Sequence, residues 1–428
     1  MKVETKIVYN ILSDSDILRY LNIKDKTELS STCKYIYKKL SHFRLQKLWF
    51  NSRDFQKYID NTQKGVYWTN ENYELKLSYF ETNFDDYKRH LLRLTYGGID
   101  YFLLEYFSLK FVNLTSLWLD YIILPKTILI NVIENTSNLV HLTLWGIEVA
   151  YSKVDNISTS VKFSKYLTEL KWENCNQFEL DSTDLVSFKE HALAPRFSNS
   201  DILNISLNIV DTLKSLYWCH LNPKSTHLFN ETILNNPGLA HLTISLYNLS
   251  LINLNQLANS PVLTKLTIYD SGEAITSDPN RIVNFPNVKT LEFPYFFEEV
   301  TPSVNLIIEN CPNLERLKIF SIRNCDDYFI NYIKNFKYLK VLTIIAVKHI
   351  PSFLYKSAPQ SNLQHLEIYT QNPNIIYFSN FINMPKLKLI TNSCSDYNLE
   401  NWRDTPNYED FQGWRMIEYP GSIRYWKI

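Results

Sequence analysis

The most regular feature of this sequence is a hexad of apolar and polar positions, Leu-x-x-Leu-x-Leu, that recurs along most of the chain. Ten good copies begin at residues 114, 139, 167, 213, 239, 263, 288, 314, 339 and 363. Weaker copies begin at residues 91 and 387, and the usual period is about 25 residues. One interval of 46 residues is close to two periods, so a degenerate copy is expected near residues 185–188.

The alternation within each hexad predicts a short β-strand, because successive side chains of a strand point to opposite faces. In one copy, Leu142 and Leu144 are expected to face the core and Thr143 the solvent. Helix-like apolar spacing occurs in the connecting segments 127–138, 228–238, 304–313 and 328–337. Turn-forming dipeptides then precede several strands, at Asn236-Pro237, Cys311-Pro312 and Met384-Pro385. Each unit is therefore predicted as strand, loop, helix and loop.

One such unit cannot bury its own apolar face, whereas stacked neighbouring units build a continuous core. The expected fold class is α/β, with a curved parallel sheet inside and helices outside. The pattern resembles the leucine-rich-repeat family in its intracellular, ribonuclease-inhibitor-like or cysteine-containing form. That resemblance implies a solenoid of about 12 repeats over residues 91–395.

One position departs from the family pattern. Leucine-rich repeats often place Asn or Cys three positions after the last strand leucine, where its side chain satisfies backbone groups of the loop. Among the clearer repeats of this chain, only Cys175 fits that rule, and the neighbouring repeats have Ile122 and Ile147 there. We therefore expect irregular loops after the strands.

Residues 1–48 have a different pattern, which predicts short amphipathic helices. Residues 13–21 open with cap-forming residues and continue with an apolar stripe. Residues 24–40 contain Asp25 with Glu28 three positions later, which is typical of a capping box, and apolar residues at helical spacing follow. Taken alone, this segment also fits a helical cap that shields the first repeat, which solenoids require at their ends.

The same segment resembles an F-box. In that motif an apolar first helix ends in Leu and a later helix carries Cys-Lys and an aromatic residue, as at Leu21, Cys33-Lys34 and Tyr37, although the usual Leu-Pro opening is missing. The resemblance implies binding to a Skp-type adaptor and, through it, to the cullin scaffold of a ubiquitin ligase. The expected adaptor-binding residues are Ile17, Leu18, Leu21, Leu29, Cys33 and Tyr37.

Two further segments flank the repeats. Residues 45–50 resemble another hexad and predict an edge strand that joins the N-terminal helices to the repeats, and residues 49–90 are expected to connect or cap them. The tail, residues 396–428, is rich in tryptophan and is expected to form a C-terminal cap. A separate ligand site in this tail is the alternative.

Solvent-facing strand positions are the candidates for binding a protein target, because aromatic and charged side chains supply many interface hot spots. The expected residues on the concave face are Trp118, Trp145, Tyr217, Tyr269, Arg316, Lys318, Phe320 and Tyr369. The alternative is that the aromatic side chains pack among themselves or against a long loop and bind no partner. Three histidines hold equivalent positions on repeats too far apart to share a metal ion, so no metal site and no cofactor are expected: His141, His241 and His365.

Composition narrows the classes of function. The chain has 44 basic and 44 acidic residues, so it lacks the basic surplus of a nucleic-acid-binding protein. Only 8 of its 428 residues are Gly, and they do not form a phosphate-binding loop, a nucleophile elbow or a dinucleotide turn. Six scattered cysteines predict reduced thiols, and no apolar run suggests a signal peptide or a membrane span.

These observations predict a substrate receptor of an SCF-type cullin ubiquitin ligase, cytoplasmic or nuclear, with no catalytic activity of its own. It would bind a Skp-type adaptor through its N-terminal helices and an unknown protein target on the concave face of the repeats. We expect it to be a monomer outside that complex. The alternative is a non-ligase interaction scaffold in which the N-terminal helices are only a solenoid cap.

Overall fold

The hexads build a mixed α/β structure in which parallel strands predominate. The computed structural model describes residues 28, 45–51, 77–78, 81–82, 87–98, 101–152, 161–180, 201–205, 212–219, 225–246, 257–269, 284–294, 301–320, 337–345, 362–370, 376, 378–381, 384–394, 413–419 and 422–428. The chain divides into two units, unit 1 (Met1–Leu213) and unit 2 (Lys214–Ile428).

Unit 1 contains two sheets. Its elements are β1 (Lys47–Asn51), α1 (Tyr87–His90), β2 (Arg93–Gly97), α2 (Phe102–Lys110), β3 (Ser116–Asp120), β4 (Ile123–Pro125), α3 (Lys126–Asn135), β5 (His141–Trp145), β6 (Glu148–Ser152), β7 (Glu169–Glu173), β8 (Asn176–Leu180) and β9 (Asp201–Ile202). Strands β1, β2, β3, β5 and β7 pair in parallel in that order, so the edge-strand prediction for residues 45–50 is confirmed.

The core of unit 1 lies along two rows of side chains that cross the main sheet. One row is in register and consists of Leu94, Leu117, Leu142 and Leu170. The second row, two residues further along each strand, consists of Tyr96, Leu119, Leu144 and Trp172. Every one of these side chains is buried. Because the strand period is two, the residues between the rows face away from this core.

The prediction of irregular loops is wrong in unit 1. The segments after three hexad strands form a second sheet, in which β4, β6 and β8 are parallel and β9 is antiparallel to β8. Ile122, Ile147 and Cys175 are fully buried there, so an apolar stack replaces the Asn ladder of the family. The backbone is satisfied between repeats instead, as where Glu148 N–H donates to the Ile122 carbonyl at 3.0 Å.

Unit 2 continues the hexad pattern. Its elements are β10 (Ser215–Cys219), α4 (Ser225–Asn235), β11 (His241–Ser245), β12 (Lys265–Tyr269), β13 (Thr290–Phe293), α5 (Thr301–Glu309), β14 (Arg316–Phe320), β15 (Val341–Ile345), β16 (His365–Thr370), a 3-10 turn (Phe378–Phe381), β17 (Leu389–Cys394), β18 (Trp414–Tyr419) and β19 (Ser422–Lys427). Strands β10 to β17 pair in parallel in chain order. The buried row in register across them is Leu216, Leu242, Leu266, Leu291, Leu317, Leu342, Leu366 and Ile390.

The C-terminal tail ends in a hairpin that covers one edge of the unit 2 sheet. Strand β19 pairs antiparallel with β17 on one side and with β18 on the other. Trp414 and Tyr425 of the hairpin are buried against Phe378, with ring centroids 5.6 and 4.8 Å from the Phe378 ring. The pairing of β19 closes the edge of β17, and the ring contacts hold the hairpin in place. The domain boundaries expected from the sequence stay predictions.

Three of the four predicted helices are present as α3, α4 and α5, and the fourth, at 328–337, falls almost wholly outside the described residues. Helix α3 packs against α2 and against β4 and β6. The expected degenerate copy near 185–188 lies outside the part of the chain that the structure describes. Every helix among the described residues falls short of the length and apolarity of a membrane span.

A hydrogen-bonded asparagine ladder occurs at the opposite end of the strands from the one that the family pattern suggests. The residue just before the first hexad leucine is often Asn, and its side-chain amide donates to a carbonyl of the preceding repeat. Asn138 donates to Val112 at 3.0 Å, and Asn313 donates to Pro286 at 2.8 Å. The same bond is made by Asn113, Asn287 and Asn362. These amides tie each turn to its neighbour and hold the hexads in phase.

Candidate functional site

The solvent-facing side of the unit 1 main sheet carries exposed tryptophans. Trp118 on β3 is 40% exposed and Trp145 on β5 is half-buried, and their ring centroids are 6.0 Å apart with the planes tilted by 33°. Two strands that pair directly thus bring together two of the residues that the sequence proposed for target binding. Their mutual packing accounts for part of the burial of Trp145 and leaves Trp118 open to solvent.

Tyr121 completes this group, which we call the tryptophan cluster (Trp118, Tyr121 and Trp145). Its ring centroid is 5.4 Å from that of Trp145, and its side chain is 53% exposed. Tyr121 adopts a left-handed backbone with φ of 48°, held by its N–H donating to the Trp145 carbonyl at 2.9 Å. Gly146 makes room for the ring, since a Cβ at that position would lie 2.7 Å from Tyr121 Cδ1.

Asp120 directly precedes Tyr121 at the end of β3 and borders the tryptophan cluster. It is in register with Trp145 on one neighbouring strand and with Gly97 on the other. Its Oδ1 atom is buried and has no hydrogen-bond partner among the described residues. Desolvation raises the pKa of this carboxyl above its ordinary value of 3.8. The site therefore combines aromatic faces with an acceptor whose hydrogen-bonding capacity is not used.

In unit 2, Tyr217 and Tyr269 form a stacked pair, with ring centroids 5.5 Å apart and planes only 8° from parallel. The Tyr269 hydroxyl donates to the Trp218 carbonyl at 3.3 Å. Burial, with smaller contributions from Cys219 and Tyr217, raises the pKa of Tyr269, so its phenol stays neutral at physiological pH. The sequence proposed both tyrosines, but one strand separates them, and only the structure shows that they stack.

The basic residues proposed for unit 2 do not form an isolated positive cluster. Lys318 lies over the Tyr369 ring at 5.9 Å, and Arg316 is exposed on the same strand. The nearby Lys265 Nζ is 2.8 Å from a carboxylate oxygen of Glu292, so its charge is balanced. The side chain of Phe320 lies outside the described set.

Among the described residues, two of the three equivalent histidines have polar partners, each on its own part of the sheet. His141 Nδ1 is 3.1 Å from Glu169 Oε2, and His365 Nε2 is 2.9 Å from Thr391 Oγ1. Desolvation lowers the pKa of His365, while Glu367 opposes that shift. In the part of the chain that the structure describes, no three His, Cys, Asp or Glu side chains gather closely enough to hold a metal ion.

The structure leaves the predicted adaptor-binding residues untested, and it adds two residues to the site that the sequence analysis did not propose. The six proposed adaptor-binding residues lie outside the described residues, so those expectations stay predictions. Asp120 and Tyr121 were not among the proposed target-binding residues. Their only sequence signal is that they directly follow a hexad containing an outward Trp, and that Gly146 directly follows the next strand.

No family model matches the sequence, and no curated protein matches it. Two solved structures, both of leucine-rich-repeat proteins, are similar to part of the chain. One is the complex of TLR13 with ssRNA13, at 15% identity and a TM-score of 0.29, covering 73% of this chain and 55% of that one. The other is the Toll–Spatzle complex of Drosophila, at 11% identity and a TM-score of 0.29, covering 75% of this chain and 42% of that one. The chain thus spans about half the length of the solved chains that it matches.

Proposed function

We propose that this chain is a leucine-rich-repeat protein that binds a protein partner through the solvent-facing sides of its parallel sheets. The observation that carries this proposal is the tryptophan cluster, in which Trp118 stays exposed at a strand position where both neighbouring strands have Thr. Exposed Trp and Tyr side chains in contact with one another supply much of the binding energy of protein interfaces. The stacked tyrosines of unit 2 provide a second surface of the same chemistry.

The face variant carries Trp118→Ala and Tyr217→Ala together in the full chain. We expect it to bind the partner at least roughly 30-fold more weakly, which is the usual effect of losing even one hot-spot residue. Partners captured by the wild-type chain are purified and their affinities for each variant are measured by calorimetry. Tyr166→Ala is the matched control, because Tyr166 is 49% exposed but lies in a turn before β7 rather than on the sheet face. Equal affinities for wild type and the face variant would contradict the proposal.

For the N-terminal segment we propose a more specific role as the adaptor-binding module of an SCF-type ubiquitin ligase receptor. Support comes from the F-box resemblance of residues 1–48 and from its position directly before a repeat sheet that begins with β1. In this role the chain holds a protein target on its sheets and the ligase machinery at its N-terminus. Transfer of ubiquitin is then accelerated by proximity rather than by groups of this chain.

Leu21→Lys with Leu29→Lys is expected to weaken the complex with a Skp-type adaptor from the same source by roughly 100-fold, because charges replace apolar contacts. Co-purification and calorimetry with the full chain measure this. The control variant carries Leu109→Lys and Leu234→Lys, which alter two helical leucines that are 56% and 59% exposed. If the wild-type chain binds no adaptor, or if both variants bind as wild type does, the segment is a solenoid cap and the non-ligase scaffold is the correct function.

A further inference from the structure

The Asp120 carboxylate occupies an unusual position on the face of a sheet. Its Oδ1 atom is buried without a hydrogen-bond donor among the described residues, although the residue as a whole is partly exposed. A carboxylate with one oxygen buried and no hydrogen-bond donor is poorly solvated, so it gains from a charged donor that reaches the rest of the group. The neighbouring strand position is Gly97, where an added Cβ would lie 3.7 Å from Asp120 Oδ2. Gly97 therefore places no side chain beside the carboxylate on β2.

The other flank is aromatic and negatively charged. Trp145 is in register with Asp120 on β3 and with Glu173 on β7, so one tryptophan lies between two acidic positions. The π faces of Trp118, Tyr121 and Trp145 are themselves attractive to cations. Acidic groups and aromatic faces therefore favour the same kind of ligand, and an anionic group would be repelled by both.

The geometry of the tryptophan cluster limits which kind of cation can bind there. A flat group stacked between two rings needs about 3.5 Å on each side, so the rings must be about 7 Å apart. The ring centroids of Trp118 and Trp145 are only 6.0 Å apart, so no flat group fits between them. A cation must instead lie across the open ring faces and point its donors at Asp120. A guanidinium does both, because it is flat, stacks on aromatic rings and carries several N–H donors in one plane. An ammonium group is compact and cannot stack in this way.

We propose that the tryptophan cluster and Asp120 together bind an arginine side chain of the protein partner. The guanidinium lies on the exposed aromatic faces of Trp118 and Tyr121 and donates to the Asp120 carboxylate. This inference rests on the proposed function, since it assigns the residue type that one sheet surface recognises.

The test uses the full chain with ¹⁵N-labelled tryptophan, whose indole N–H signals are assigned with Trp118→Phe and Trp145→Phe. The probe is Nα-acetyl-argininamide, and Nα-acetyl-citrullinamide is the isosteric neutral control. We expect the arginine probe to shift the Trp118 and Trp145 signals in a saturable way and the citrulline probe to leave them in place. Asp120→Asn should weaken the arginine probe roughly tenfold or more, because it removes the charge-assisted hydrogen bonds. Glu231→Gln, at an exposed carboxylate on α4, makes the same chemical change elsewhere and should leave binding unaltered.

Absence of saturable shifts, equal shifts with both probes, or unchanged arginine binding by Asp120→Asn would each overturn this inference. The proposed function has a separate readout, the loss of protein-partner binding on replacing Trp118 and Tyr217. Failure of the arginine probe together with that loss would show that the sheet faces bind a partner that does not use arginine at this site. Retention of partner binding by the face variant would instead refute the proposed function.

Discussion

Replacing Trp172 with Ala lowers the free energy of unfolding by about 3–5 kcal/mol, the range for removing a large aromatic side chain from a core. Trp172 is fully buried and stands where the neighbouring repeats have Leu144 and Leu119. Neighbouring repeats are held by backbone pairing on both sides, so they cannot collapse to fill the space left by an indole. Denaturant unfolding, followed by far-ultraviolet circular dichroism, measures the change in midpoint and slope.

The matched control is Trp49→Ala. Trp49 lies on β1 of the same sheet, but its side chain points away from the core and is 78% exposed. Surface substitutions of this kind usually change stability by less than about 0.5 kcal/mol. An equal loss of stability in the two variants would mean that the inward and outward positions of the hexads have been exchanged.

We expect the thiols of Cys175 and Cys311 to react with iodoacetamide about 1000-fold more slowly in the folded protein than in the denatured chain at pH 8. Burial raises the pKa of each thiol from 9.0 to about 12. The reactive thiolate then falls from about 10% to about 0.01% of the thiol. Cys175 is also positioned by its own hydrogen bonds, because its Sγ donates to the Leu144 carbonyl at 3.4 Å. Mass spectrometry of digested, alkylated protein gives the rate at each cysteine separately.

The raised pKa of the buried thiols also makes the free energy of unfolding depend on pH. A folded-state pKa above the unfolded value means that the unfolded chain loses these protons first as the pH rises. The stabilisation is therefore fully present below about pH 9 and is lost progressively between about pH 9 and pH 12. Cys175→Ser provides the control, since a hydroxyl does not titrate in this range. Rapid alkylation of Cys175 in the native protein would show that the second sheet of unit 1 opens readily.

Part of the candidate site could be predicted from the sequence. An outward Trp or Tyr between the core residues of a hexad, or directly after the last of them, is visible as a local pattern. Trp118 and Tyr217 were found in the first way, and Trp145 and Tyr269 in the second. Their pairing was not visible, because Trp118 contacts Trp145 through the register of β3 and β5, which are separate segments. Asp120 was missed for the same reason, since nothing local shows that its neighbour in register is Gly97.

The loops show where local reasoning fails. The rule that a repeat needs Asn or Cys after its strand predicted irregular loops, yet Ile122 and Ile147 lie buried in a stack and the following residues form β4, β6 and β8. Backbone bonds between repeats replaced the missing side chains. The asparagines that do form a ladder, such as Asn138, come before the strand rather than after it.

The sequence by itself determined the strands, their spacing and which side of each strand is buried. The period of two along each strand and the period of about 25 along the chain can both be read from short stretches of sequence. Burial of the apolar residues then fixes which face of each strand lies in the core. Only the tertiary structure decided which outward residues meet. Parallel pairing places residues about 25 positions apart side by side, so the tryptophan cluster, the place of Asp120 beside Gly97 and the second sheet all arise from register. Register is fixed by the packing of the buried rows as a whole, and no single repeat contains it.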